Sequence, residues 1–260
     1  MPPSISTRAF IQWLPNPPSE PTSTIVLTST QRHFVDIRVL ADKAVDPAHV
    51  EWAFAGRSTS KIVNGKTLSQ WHHWIDSKST QPEEVFDKGE MMPEDDEGLA
   101  LEKGEMVNPA TGRVGEYVEG WRDGEIGVVP RPGEEVVEGF CEELRGRGVS
   151  VDGVRDLRAT EAESRLSLVL QHEDVARGSR GMVIRLGQLC QGVMRVGDDF
   201  AYERWEWTHE DGWRQTSVSG KLSMPCDVLT ILAEGMTTDT TIKYGNEDDL
   251  RWRCVEVERF

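Results

Sequence analysis

The sequence predicts a mainly β chain built as two barrel-like halves, and three observations carry that expectation. Turn-forming residues recur at short intervals between apolar or aromatic runs, as in folds of many short antiparallel strands and unlike alternating β and α units. Each half offers about seven such runs, enough to close a small barrel or make a sandwich. Between the halves, from Pro130 to Val151, the composition turns to Pro, Gly and charge. With 260 residues the chain can bury two ordinary cores without covalent staples.

In the first half the candidate strands are Thr7 to Leu14, Ser23 to Thr30, Phe34 to Leu40, Val50 to Ala55, Gln70 to Asp76, and Glu102 to Val107 paired with Val114 to Asp123. The last two flank Asn108-Pro109-Ala110-Thr111-Gly112, whose Pro and Gly suit a tight loop. A weak helical period in Val136, Val137, Phe140, Cys141 and Leu144 marks a short helix in the connecting stretch. The expected division is an N-terminal barrel-like domain over 1–135, a linker with a short helix over 136–150, and a C-terminal barrel-like domain over 151–260. Strands in the second half are expected at Arg165 to His172, Gly181 to Leu186, Gln191 to Val196, Phe200 to Thr208, Trp213 to Ser219, Thr240 to Tyr244 and Leu250 to Glu258. A helix fits Pro225 to Ala233, with proline at its start and Gly235 beyond its end. A barrel of about eight strands has room for side chains or for one small ligand.

Lys and Arg total 29 against 45 Asp and Glu, a formal net charge of −16. Such a surface repels phosphate backbones, and no basic stripe with interleaved aromatics offsets it, so nucleic acid is not expected as a partner. Ten acids lie between Glu83 and Glu105, against Lys88 and Lys103. Read plainly, this is a solvated, mobile loop; read sharply, it is a docking patch for a basic protein partner. The N-terminus lacks the basic and apolar regions of a secretory signal, and no stretch approaches the length of a membrane span. These absences point to the cytosol, with nuclear access by diffusion. A homodimer is compatible with the composition.

Cys141, Cys190, Cys226 and Cys254 are widely spaced and do not cluster with histidines, so reduced, packed thiols are expected. His33, His49, His172 and His209 show no metal-ligand spacing, and no metal is expected. Glycine-rich nucleotide loops and a GxSxG nucleophile elbow are missing, which leaves the chain without motif support for a cofactor or serine hydrolysis.

Nine tryptophans remain to be explained. Strand alternation in the run from Ala201 to Trp207 puts Glu203, Trp205 and Trp207 on one face, the better candidate for an interior. A carboxylate brought inside with indoles requires a partner such as Arg185, Arg195 or Lys243. The pair would brace the barrel, or supply a perturbed acid or base to a ligand pocket. In Trp71-His72-His73-Trp74 one histidine must face inward, as a satisfied structural group or as a hydrogen-bond donor and general acid. The candidate catalytic residues are therefore His73, Arg185 and Glu203, and the candidate ligand-binding residues are Trp71, Trp121, Gln188, Trp205 and Trp207.

At Glu51-Trp52-Ala53-Phe54-Ala55-Gly56 and Trp74-Ile75-Asp76 the sequence resembles a fungal family typified by a yeast protein named for interacting with a casein kinase, the Hri family. Gly181 to Val196, the Met224-Pro225 turn and Leu250 to Val257 are similar to the same family. The likeness spans most of the chain, and its motifs are structural. It implies two tandem antiparallel calycin-like, lipocalin-related β-barrels and carries over no catalytic residue. Fungal barrels of the calycin type have been recruited as cofactor-independent cyclases and pericyclases, including Diels-Alder catalysts, and the expectation taken from them is by analogy of fold.

Two functions are weighed on that footing. The first is a cofactor-free enzyme of natural-product biosynthesis that binds a small hydrophobic polyketide or terpenoid and speeds a cyclisation or cycloaddition. Holding the reactants in near-attack geometry would supply on the order of 7 kcal/mol, with a hydrogen bond from His73, Arg185 or Gln188 to a developing oxyanion. The second is a non-catalytic ligand carrier or protein adaptor of the same fold. An acid and base pair of Glu203 and a histidine, serving an isomerase or hydrolase, is a third.

Overall fold

The computed structural model describes residues 2–41, 50–108, 111–155, 165–244 and 250–260. Pro109 and Ala110 of the expected loop, and His49, lie outside the described residues. The chain divides into two compact units, one formed by Ser4–Thr28 and Arg32–Glu125 and the other centred on Ile126–Phe260.

The first unit is a closed antiparallel barrel of eight strands: β1 Ser4–Trp13, β2 Thr22–Thr28, β3 His33–Leu40, β4 Val50–Val63, β5 Lys66–Asp76, β6 Asp87–Met91, β7 Ala100–Asn108 and β8 Arg113–Gly124. Closure comes from β8 returning to β1, where Trp13 pairs with Tyr117 and Ile11 with Glu119. A register shift between Arg8 and Phe10 lets Arg8 and Ile11, three residues apart, both turn inward. The stretch from Glu83 to Glu105 is not one solvated loop: β6 and the start of β7 run through it, and Glu102 is buried. Pairing with β5 on one side and β7 on the other organises a segment whose charge had pointed to solvent.

The second unit is an eight-stranded antiparallel sheet. Its strands are β9 Ser150–Asp152, β10 Leu166–Asp174, β11 Ser179–Leu186, β12 Leu189–Val196, β13 Asp199–Thr208, β14 Gly212–Ser219, β15 Thr241–Tyr244 and β16 Leu250–Arg259. They lie in the order β14-β13-β12-β11-β10-β16-β15-β9. Helix α1, Glu134–Gly146, carries Glu134 and Glu135 in its first turn and Arg145 in its last, each on the favourable end of the helix dipole. Helix α2, Cys226–Leu232, buries Val228, Leu229 and Leu232 against Leu168, Leu170, Val183, Met194 and Trp252. Each such side chain contributes roughly 1.5 to 3 kcal/mol when removed from water. The four cysteines are free, and Cys190, Cys226 and Cys254 are buried. Among the described residues no helix is long and apolar enough to cross a membrane.

Candidate functional site

Strand alternation puts Phe34, Asp36 and Arg38 of β3 on the barrel's inner face, opposite Trp52 and Phe54 of β4. Two guanidiniums meet there over one carboxylate. Arg8 Nη1 donates to Glu119 Oε1 at 2.5 Å and Arg38 Nη1 donates to the same oxygen at 3.2 Å. Arg8 also donates to Glu20 Oε2 at 2.9 Å and to Thr22 Oγ1 at 2.8 Å, while Arg38 donates through Nε and Nη2 to Asp36 Oδ2 at 3.1 and 2.9 Å. Charges this deeply buried persist only when paired, and here each has a partner. Burial pushes the Asp36 carboxyl up from its ordinary value against the pull of Arg38, and its Oδ1 has no hydrogen-bond partner.

A second polar group sits beside this layer. His73 Nδ1 lies 2.7 Å from Asp76 Oδ2 and Nε2 lies 3.0 Å from Asp87 Oδ2, with the ring stacked on Phe54 at 4.3 Å. Burial opposes charge on the imidazole, but the hydrogen bonds to Asp76 and Asp87 outweigh it and hold the pKa above the ordinary histidine value. On the far side Tyr117 Oη donates to Glu102 Oε1 at 2.6 Å. Burial, then repulsion from Glu119 and Asp87, raises the Glu102 carboxyl well above the usual carboxylate range. Burial likewise pushes the Tyr117 phenol up, so it stays protonated.

Where β1 begins, the barrel is filled by Val26, Phe34, Phe54 and Trp121, with Trp52 and Trp71 packed against them. Toward the end of β1 it holds a cavity of about 1230 Å³ with Trp13, Trp52, Phe86 and Met106 among its walls. Arg8, Arg38, Asp76, Lys78 and Tyr117 are among the polar groups that line it, together with Glu51, Lys88, Glu90, Lys103, Glu105 and Glu116. Trp52 donates its indole N–H to both Asp76 carboxylate oxygens at 3.1 Å, and Arg38 and Lys78 lie over its ring at 5.2 and 4.8 Å.

The residues singled out from sequence fall into two groups. His73, Trp71 and Trp121 belong to the barrel interior, in or against its aromatic cluster. The His73 ring is enclosed and both its nitrogens face carboxylates. Arg185, Gln188, Glu203, Trp205 and Trp207 belong to the second unit. Glu203 does not pair with Arg185, Arg195 or Lys243: its Oε2 accepts from Trp205 Nε1 at 2.9 Å and Gln215 Nε2 at 3.2 Å. Neutral donors fit a carboxyl that burial has pushed above its ordinary value. Arg185 is committed elsewhere, donating to the Leu229 and Gly187 carbonyls at 2.6 and 3.3 Å, and burial pushes its pKa down to about 10. Gln188 accepts from the Gly127 backbone N–H at 2.7 Å, Trp205 packs on the sheet core, and Trp207 meets the His209 ring edge-on at 4.6 Å.

Arg8, Asp36, Arg38, Glu102, Tyr117 and Glu119 were missed. The signal for two of them was available: in Phe34-Val35-Asp36-Ile37-Arg38 the charges share one face with Phe34, at the period of a strand buried on both sides. Among the described residues no group of three or more potential metal ligands converges.

Comparison with known proteins agrees with this architecture. The model of the family described as Protein HRI1 matches residues 4–256. The crystal structure of the uncharacterized protein YLR301w from Saccharomyces cerevisiae superposes with a TM-score of 0.66 at 19% identity, covering 99% of this chain and 100% of that one. No curated relative matches the sequence.

Proposed function

The chain belongs to the HRI1 family, and from that premise we propose that its closed barrel binds one small, largely apolar organic molecule in the cavity walled by Trp13, Trp52 and Tyr117. The finer form of the fold that goes with this proposal is a tandem pair of calycin-like, lipocalin-related barrels, the second built from the sheet that runs from β14 to β9. The observation that carries the proposal is the cavity itself. At about 1230 Å³ it exceeds the roughly 300 to 1,000 Å³ typical of small-molecule sites, and apolar side chains such as Trp13, Leu68, Phe86 and Met106 share its walls with charged ones. The test is titration with Nile red, a neutral dye that brightens in apolar surroundings. Saturable one-to-one binding that disappears in the cavity-filling variant Met106→Trp is expected. Binding that is absent, or indifferent to Met106→Trp, would overturn it.

A cofactor-free cyclisation in the same cavity is a second proposal, favoured by the presence of Arg38, Asp76 and Tyr117 in its lining. Native and heat-denatured protein would be incubated with small-molecule extract of the source organism and their products compared by mass spectrometry. A product formed only by native protein and lost in Tyr117→Phe supports catalysis; identical product profiles leave ligand carriage as the function.

A further inference from the structure

Glu102 and Tyr117 are seated by two glycines that face each other across adjacent strands. Gly89 of β6 pairs with Gly104 of β7, and both line the cavity. A Cβ on Gly104 would stand 2.6 Å from Tyr117 Oη, and one on Gly89 would stand 2.6 Å from Glu102 Cγ and 2.7 Å from its Oε1. The phenol and the carboxyl therefore occupy space that any other residue at these positions would fill. No cation donates to Glu102 among the described residues, although Arg8 and Arg38 lie in the same barrel and bond to other carboxylates.

Counting protons gives the consequence. With Glu102 protonated, the pair owns two O–H groups, and their mutual hydrogen bond uses one. When the Glu102 O–H donates to Tyr117 Oη, the Tyr117 O–H is released toward Gly104 and the cavity. With Glu102 ionised, the pair owns one O–H, and the carboxylate holds it.

Resting on the ligand-binding barrel argued above, we propose that Tyr117, positioned by Glu102, presents one hydrogen-bond donor to the cavity, and that the ligand it receives carries a neutral carbonyl oxygen. An anionic head group at this position would face Glu119 and Asp87, the carboxylates that already repel charge on Glu102. An ammonium has no lone pair with which to accept from the Tyr117 O–H. A neutral acceptor meets neither penalty. The groups that face Glu102 are Tyr117 and Glu119 from β8, Asp87 from β6 and Arg38 from β3, and Asp87 in turn holds His73 of β5.

The test uses the full chain and three probes with one aromatic body: acetylnaphthalene, naphthoate and naphthylmethylammonium, each competing with bound Nile red. The ketone is expected to compete best at neutral pH and to weaken as the solution is made alkaline and Glu102 ionises. Tyr117→Phe should weaken the ketone roughly fivefold to tenfold, the worth of one hydrogen bond, and leave the other two probes unchanged. Glu102→Gln, whose amide still donates to the phenol oxygen, should keep the neutral-pH affinity and lose the alkaline decline. The proposal is overturned if the ammonium or the carboxylate competes best, if Tyr117→Phe leaves the ketone unchanged, or if the decline survives in Glu102→Gln. Should Nile red itself fail to bind, the ligand-binding barrel fails first; if it binds and the probe order is wrong, only the donor assignment falls.

Discussion

His73 makes the stability of the barrel depend on pH. Its folded pKa lies above the ordinary 6.5 because hydrogen bonds to Asp76 and Asp87 outweigh the cost of burial. A group raised on folding stabilises fully below its unfolded pKa and loses that contribution as pH rises through the folded value. Urea midpoints of the wild type should therefore fall as pH climbs from about 6.5 through the raised pKa. His73→Gln should lack that component of the fall, and an unchanged profile in the variant would remove His73 as its cause. At this scale the sequence was half legible. Alternation brought out His73 and Trp71, because aromatic and imidazole groups on a strand suggest an interior, and Trp121 stood out as a tryptophan beside the charged Arg122. Arg8, Asp36, Arg38, Glu102 and Glu119 escaped because charge on a strand suggests solvent, and only a closed barrel makes a place where such groups satisfy one another.

Elements were legible where the pattern is local and hidden where it depends on neighbours. The strands expected over Val50 to Ala55 and Gln70 to Asp76 are the two far ends of one long hairpin, β4 to β5, joined by Asn64-Gly65 with φ of 52° and 78°. That dipeptide is a turn signal in itself, and the polar run around it disguised the strands on either side. Strand β6, Asp-Lys-Gly-Glu-Met, has no strand propensity to betray it; it exists because β5 and β7 supply hydrogen bonds on both sides. The Gly89 and Gly104 pair within those strands is therefore an element-scale feature. Gly104→Ala should force Tyr117 aside and cost about 1 to 3 kcal/mol, as overpacking of a filled site does. Thermal melts and the Tyr117 ring signals in NMR would check this; an unaltered ring environment would mean the seat has slack.

For the whole molecule, the excess of 45 acidic over 29 basic side chains sets the conditions under which it is comfortable. Self-repulsion at −16 is screened when the Debye length shrinks from about 30 Å at 0.01 M salt to about 8 Å at 0.15 M. The melting temperature should rise over that range, and a fall would mean that exposed ion pairs outweigh the net charge. The mainly β architecture was legible at this scale from the spacing of turns alone, and the family likeness reached the same class through motifs that keep strands in place and name no chemistry. The cluster of Val26, Phe34, Phe54 and Trp121 draws one side chain from each of β2, β3, β4 and β8. A side chain lost there is felt by four strands at once, so damage at this point is shared around the wall and not confined to one hairpin.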